Sequence, residues 1–308
     1  MGYQCALNIA KDHPNYLVVI ASRTDPNSAA DTINQTTKQS NVQYRQLDLA
    51  DLNNVRQFAQ SWKETINLPI QALVFNAGLQ MGPTSIRYSK DGVELTFAVN
   101  HVGHALLFYL LSPQLAADAR IVVVSSGTHD PLQKTGMPDA NYTSAELLAH
   151  PNEEGKKIPG EQRYSTSKLV NVLWTYALAR RIESSTQFKS RTVVAFDPGL
   201  MPGTGLAREF SPVVKWIWLK VMPKIIPLLK ILMRFDNIHT PAESGATLAW
   251  LAVGDESKKS NGVYYEGRKQ IKSSSASYDV EKQEDLWKWT VDFISQSEEE
   301  KSAWATLP

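Results

Sequence analysis

The sequence predicts an α/β fold, a doubly wound parallel sheet covered by helices on both faces. Three observations predict it. Short apolar runs rich in β-branched and aromatic residues alternate with longer amphipathic stretches, the order of strand–helix–strand units. Most of these runs lack apolar–polar alternation, as strands buried on both faces do. They also end in polar or glycine-bearing turns, at the carboxyl edge where open parallel sheets bind ligands. The 308 residues show no internal repeat and no dividing linker, so one domain over 1–308 is expected.

In chain order, residues 3–11 read as a helix and 16–21 (Tyr-Leu-Val-Val-Ile-Ala) as the first strand. Strands follow at 42–47, 72–75, 120–124, 192–196 and 262–265. Each is short and mostly β-branched or aromatic. Amphipathic stretches at 53–66, 91–111, 162–182, 241–253 and 280–295 are the helices between and after them. Polar insertions at 129–161 and 257–261 read as surface loops. Residues 285–289 with Phe293 read as a terminal helix packed by its aromatics, and the charges at 298–301 as a solvated tail.

Composition excludes several classes. The net charge is +1 with no basic block, which argues against nucleic acid as a partner. Cys5 is the single cysteine, so no internal disulfide forms and nothing points to an oxidising compartment. The first residues lack a basic and apolar leader, and no uncharged apolar run of spanning length is evident. A cytoplasmic protein is expected. His101 and His104 lie one helical turn apart without a third ligand type nearby, so they read as packing residues, and no metal is expected.

Tyr164 and Lys168 stand four apart in Arg163-Tyr-Ser-Thr-Ser-Lys168, on one face of a helix. A phenol that moves protons near neutrality needs positive charge beside it, and an ammonium one turn away supplies some. Other chemistry-capable residues fall at strand ends: Ser22-Arg23, Asp48-Leu49, Asn76-Ala77-Gly78, Ser125-Ser126 and Asp197-Pro198-Gly199. Asn100 lies within the helix at 91–111.

The set Asn76-Ala-Gly78, Asn100, Ser126, Tyr164-x-x-x-Lys168 and Pro198-Gly199 resembles the short-chain dehydrogenase/reductase family over nearly the whole chain. Within that family the chain is similar to the retinol dehydrogenase and light-dependent protochlorophyllide reductase branch. Asn100-His-Val-Gly-His104, the long insertion between Ser126 and Tyr164, the segment Pro198-Gly-Leu-Met-Pro-Gly-Thr-Gly-Leu206 and Ser260-Asn-Gly-Val-Tyr-Tyr265 carry this likeness. The resemblance implies a Rossmann-type fold and an NAD(P)-dependent oxidoreductase. It implies Tyr164 as general acid/base, with Lys168 lowering its pKa and holding the nicotinamide ribose. Ser126, rather than Ser125, would bond the substrate oxygen. Asn100 would hold a helix irregularity and a water of the proton relay. It further implies a cofactor site of Gly2, Ser22, Arg23, Asp48, Leu49, Asn76, Ala77, Gly78, Pro198, Gly199 and Thr204 beside Tyr164 and Lys168, with Asp48 and Leu49 flanking the adenine. An acid after the second strand of such a fold selects NAD(H), whereas an arginine accommodates a 2′-phosphate. Ser22-Arg23 stands there, so NADP(H) is expected over NAD(H).

The head departs from the family pattern. Tyr3 is already in the first helix, and Gly2 looks like the last glycine of the phosphate-binding turn. The first strand and most of that turn are expected to be missing, leaving a gap in the middle of the sheet. Farther on, residues 211–235 are apolar with spaced lysines and are broken by Pro223 and Pro227 into two short helices. They read as part of a substrate lid at about 203–238, suited to a bulky lipophilic carbonyl or alcohol. A membrane-surface helix is a second reading of the same residues, and a lid packed on its own domain a third. Three functions stay open at this stage. They are an NADPH-dependent carbonyl/alcohol oxidoreductase, a reductase of carbon–carbon double bonds, and an inactive paralogue kept as a nucleotide-binding or scaffold protein. The resemblance also admits oligomerisation through the helix that bears the tyrosine.

Overall fold

The structure, a computed structural model, describes residues 1–82, 84, 86–204, 211–233 and 236–307. Leu206, Phe235 and the remainder of 205–210 and 234–235, all within the expected lid, lie outside the described residues. The first half runs α1 (Gly2–Asp12), β1 (Val18–Ser22), α2 (Ala29–Thr37), β2 (Val42–Gln46), α3 (Leu52–Thr65) and β3 (Ile70–Phe75). Then come α4 (Leu95–Phe97), a π turn at Ala98–Val102, α5 (Gly103–Leu111), β4 (Leu115–Val124), α6 (Ala145–Ala149), α7 (Gly160–Ser184) and β5 (Thr192–Asp197). The chain closes with α8 (Pro212–Trp216), α9 (Ile226–Met233), α10 (Pro241–Val253), β6 (Val263–Glu266), β7 (Lys269–Ile271), α11 (Val280–Ile294) and α12 (Glu298–Thr306).

The strands form two sheets. β1 and β2 pair in parallel, while β3, β4, β5 and β6 make a parallel sheet with β7 antiparallel at its edge. β1 and β3 do not pair, and no strand lies between them among the described residues. The division falls where the sequence placed a gap. Its mark is the half-buried state of all five β1 residues and of Ala72, Leu73 and Val74 in β3, whereas the residues of β4 from Ala119 to Val124 are buried.

Alternation along β4 sorts the core. Ile121 and Val123 face the helices α3, α5, α7 and α11, with Phe58, Leu106, Phe108, Leu173, Trp174 and Leu286. Val122 and Val124 face the other way, onto Cys5 of α1 and Leu248 and Leu251 of α10. This is the period-2 geometry of a strand covered on both faces. The helices begin on their own chemistry. Asp51 accepts the Asn54 amide ahead of α3, and Thr240 with Glu243 forms a capping box ahead of α10, each satisfying amides that the first turn leaves orphaned.

α7 is buried nearly all round. Its outer side is covered by α11 and by the turn Ser275–Tyr278; Arg180 and Arg181 pair with Glu284, and the Arg181 guanidinium stacks 4.0 Å from the Trp287 ring. The face that the resemblance offered for pairing is thus packed within this chain. The stretch Leu95–Gln114 has the length and composition of a membrane span, but 83% of its apolar window is buried inside the fold. His101 and His104 are buried there, and burial pushes their pKa values down to about 3 and about 4.

Two expectations need correction. Residues 298, 299 and 301 are exposed as expected, but they open a helix, α12, rather than a loose tail, and its Trp304 stacks on Tyr109 at 5.0 Å. The insertion at 129–161 is no simple surface loop either. It carries α6, and it buries His129, Tyr142, Ala145 and Ala149. Tyr142 donates to Asp285 of α11 at 2.6 Å. α2 and β7 were not anticipated. Lid residues 211–233 do form two short helices, but Pro227 sits in the first turn of α9 rather than between helices, where its missing N–H costs nothing.

Candidate active site

The carboxyl ends of β3, β4 and β5 and the first turns of α7 meet at one place. Tyr164 and Lys168 project from α7, 8% and 3% exposed, with the Lys168 ammonium 5.4 Å from the centre of the Tyr164 ring. Ser126 follows β4 and hydrogen-bonds the Tyr164 phenol. Its neighbour Ser125 is 1% exposed and donates to the carbonyl of Lys168 at 2.8 Å, which ties strand to helix. The two serines thus differ: Ser125 is fastened inside and Ser126 is half-buried beside the tyrosine.

Asn100 sits in the π turn, the irregularity assigned to it. Its Nδ2 donates to the Leu79 carbonyl at 3.0 Å and to Ser167 Oγ at 2.9 Å, and its Oδ1 accepts from the Leu79 amide at 2.8 Å. The side chain thereby clamps the turn after β3 against α7. A Cβ on Gly78 would stand 3.4 Å from Asn100 Oδ1 and 3.5 Å from Lys168 Nζ, so the glycine keeps the backbone close to both. Lys168 Nζ donates to the Val124 carbonyl at 3.1 Å.

A third ionisable group, read from the sequence only as a strand end, joins them. Asp197 closes β5, is fully buried, and accepts from the Gly199 amide at 2.9 Å and Asn237 Nδ2 at 2.8 Å, with the Gly127 amide also directed to it. Asn237 Oδ1 in turn meets His239 Nε2 at 3.0 Å. Burial pushes the Asp197 carboxyl up to about 6. Burial also pushes the Tyr164 phenol above its ordinary value, and the charge of Asp197 adds to that while the Ser126 bond opposes it. Lys168 is pushed down to about 8, again by burial, with Asp197 opposing. The lowered phenol expected from the Tyr–Lys spacing is therefore not produced by these residues alone: burial first, and the Asp197 charge second, favour the protonated phenol.

The remaining expected cofactor residues lie along the same edge. Gly2 opens α1 against Asn76, where a Cβ would come within 2.7 Å of Nδ2. Ala77 is exposed, and Pro198 is buried with its carbonyl accepting from Ser244 at 2.7 Å. Gly199 has φ +75°, and a Cβ there would collide with Asn237, so this turn requires glycine. Thr204 donates to the Met201 carbonyl. Ser22 ends β1 and Arg23 follows it, exposed. Asp48 follows β2 and accepts from the Ala50 amide. Leu49 follows Asp48, is 6% exposed and packs against Gly103. Asn237, His239 and Ser167 were not singled out from the sequence; Ser167 stands at an unspecified position of Tyr164-x-x-x-Lys168, and only the fold brings Asn237 and His239 here.

A nicotinamide dinucleotide fits these residues. Lys168 is a buried ammonium with three donors, and Val124 uses one. Glycines at 2, 78 and 199 allow close backbone approach, and the α1 N-terminus faces the same edge with amides suited to a phosphate. A cavity of about 340 Å³ lies on another face of α7, lined by Phe97, Leu147, Ile158, Arg163 and Thr166. Ser167 lines it as well, but Tyr164, Lys168, Ser126 and Asp197 do not.

Comparison with known proteins accords with this geometry. The family described as short chain dehydrogenase matches residues 1–144, and the AcuH dehydrogenase domain matches 211–303. The chain is 30% identical over 295 residues to polyprenol dehydrogenase of Danio rerio, covering 94% of this chain and 81% of that protein. It is 30% identical over 289 residues to retinol dehydrogenase 13 of Homo sapiens, covering 93% and 79%. Among solved structures it is similar in fold to a blue fluorescent protein from a metagenomic library in complex with NADPH, with TM-score 0.58, 17% identity and coverage of 87% and 94%.

Proposed function

Since this chain belongs to the short-chain dehydrogenase/reductase family, in its retinol dehydrogenase-like branch of NAD(P)-dependent oxidoreductases acting on CH–OH groups, we propose that it reduces a bulky lipophilic aldehyde or ketone with NADPH and that Tyr164 gives the proton. The observation that carries the reading is the meeting of Tyr164, Ser126 and Lys168 at one sheet edge beside the buried Asp197 carboxylate. NADPH supplies a hydride to the carbonyl carbon when bound. The chain's own residues do the rest. Ser126 donates a hydrogen bond to the carbonyl oxygen and holds it against the phenol. The Tyr164 O–H bond breaks, its proton passes to that oxygen, and the alcohol forms without a free alkoxide. The phenolate left behind regains a proton from solvent. Lys168 holds the ribose hydroxyls with its remaining donors and stabilises the phenolate by its charge. Asp197 opposes ionisation of Tyr164, which favours the direction in which the phenol starts protonated.

Arg23, exposed at the end of β1 with no acid beside it in sequence, supports a 2′-phosphate and hence NADPH. The apolar α8–α9 segment next to the Gly199–Thr204 turn supports a lipophilic substrate. Reduction of a carbon–carbon double bond gains nothing from Cys5, which is buried in α1 with its thiol pushed up to about 12 by burial. Turnover of aldehydes of increasing chain length with NADPH and with NADH tests the reading. The expected result is activity that rises with chain length and favours NADPH. Failure to reduce any carbonyl, or to oxidise any matching alcohol, with either cofactor would overturn it.

A further inference from the structure

The α8–α9 hairpin has two different sides. Its inner side packs on the turn that leaves β5: Trp218 Nε1 donates to the Thr204 carbonyl at 3.0 Å, Pro223 lies against Gly203, and Ile226 is 8% exposed. Its outer side is open. Val213 is 69% exposed, Trp216 61%, Leu228 50%, Ile231 74% and Leu232 70%. Elsewhere among the described residues the exposed large apolar side chains, such as Leu68, Leu132 and Val280, are scattered along the chain. Exposed large apolar side chains concentrated in one short segment mark an interaction site.

Charge selects the occupant. Residues 211–233 contain Lys215, Lys220, Lys224 and Lys230 and no Asp or Glu, in a chain whose total is only +1. Lys215, Lys220 and Lys224 are exposed. A second copy of the chain is disfavoured, because a two-fold contact sets the same lysine-bearing patch against itself. An apolar face with an interfacial tryptophan and flanking lysines matches the boundary of an anionic bilayer, where acyl chains take the apolar groups and headgroups take the ammonium ions. Neither helix is long enough to span, so the hairpin would lie in the interface plane.

We propose that the outer face of the α8–α9 hairpin docks this protein on the surface of an anionic phospholipid membrane. The segment packs on the turn that leaves β5, so docking would set that end of the site toward the bilayer, the source of a lipophilic substrate. That consequence rests on the proposed reductase activity, whereas the docking does not.

The test is flotation of the full chain with vesicles of phosphatidylcholine alone and of phosphatidylcholine mixed with phosphatidylserine. The proposal expects binding to the mixed vesicles, weakened by salt, with a blue shift of tryptophan emission. It expects Trp216→Ser/Ile231→Ser/Leu232→Ser, and separately Lys215→Glu/Lys220→Glu/Lys224→Glu, to lower partitioning about 10-fold or more while NADPH binding is kept. Binding to neither vesicle would overturn it, as would equal binding by both variants, or a dimer in solution that the apolar substitutions dissociate. Because flotation needs no turnover, loss of carbonyl reduction would refute the catalytic reading and leave the docking result standing.

Discussion

At the scale of single residues, the site joins a pair legible in sequence to one that is not. Tyr164 and Lys168 could be read from their spacing because an i,i+4 relation on a helix fixes the shared face. The influence of Asp197 could not, since β5 and α7 are brought together only by the fold. Asp197→Asn removes a negative charge that raises the Tyr164 phenol. Alcohol oxidation needs the phenolate, so the acid limb of its pH profile is predicted to move to lower pH by ~1 unit. An unmoved limb would remove Asp197 from the proton chemistry. In the wild-type protein that carboxylate takes a proton as pH falls through about 6, so the same easing of Tyr164 ionisation is expected below that value. At the cofactor's other end, Arg23→Ser is predicted to weaken NADPH by about 10-fold or more, through loss of a charge-assisted hydrogen bond, and to leave NADH unchanged. Isothermal titration with both cofactors checks this; equal losses would mean that Arg23 does not read the phosphate.

At the scale of elements, strands β1 to β6 and the helices α3, α7, α10 and α11 were legible because hydrophobic period and β-branched composition are local properties. α12 was not. Its first turn, Glu298-Glu299-Glu300, is charged, and the reason it is ordered lies far away in sequence. Arg56 of α3 pairs with Glu300 at 2.8 Å, donates to the Ile294 carbonyl at 2.6 Å and stands 5.8 Å from the Trp304 ring, which stacks on Tyr109 of α5. Trp304→Ala is therefore predicted to cost about 3 kcal/mol of unfolding free energy in urea. A loss below about 0.5 kcal/mol, as surface substitutions give, would mean α12 is peripheral. The π turn is the converse case, because Asn100 was named from its motif and the structure supplies its use as a clamp on Leu79 and Ser167.

At the scale of the whole molecule, the two sheets differ in support. β4 and β5 lie between helices on both faces, whereas β1, β2 and α2 share a small core of Ala6, Ala10, Ala30, Ile33 and Val42. Amides of β1 and β2 are accordingly predicted to exchange at lower protection than those of β4 and β5 in native-state hydrogen exchange; equal protection would show that the two sheets open as one unit. The position of the gap was legible because the order of strand ends fixes the topology, while the covering of α7 by α11 was not, since only the folded chain brings Glu284 to Arg180 and Arg181. The proposed function turns on proton transfer from Tyr164. The most direct measurement is NADPH-dependent reduction of a long-chain aldehyde by Tyr164→Phe, made beside its NADPH affinity. The account predicts that kcat falls by about 10²–10⁴-fold with NADPH binding retained. Turnover close to wild type with binding intact would contradict it.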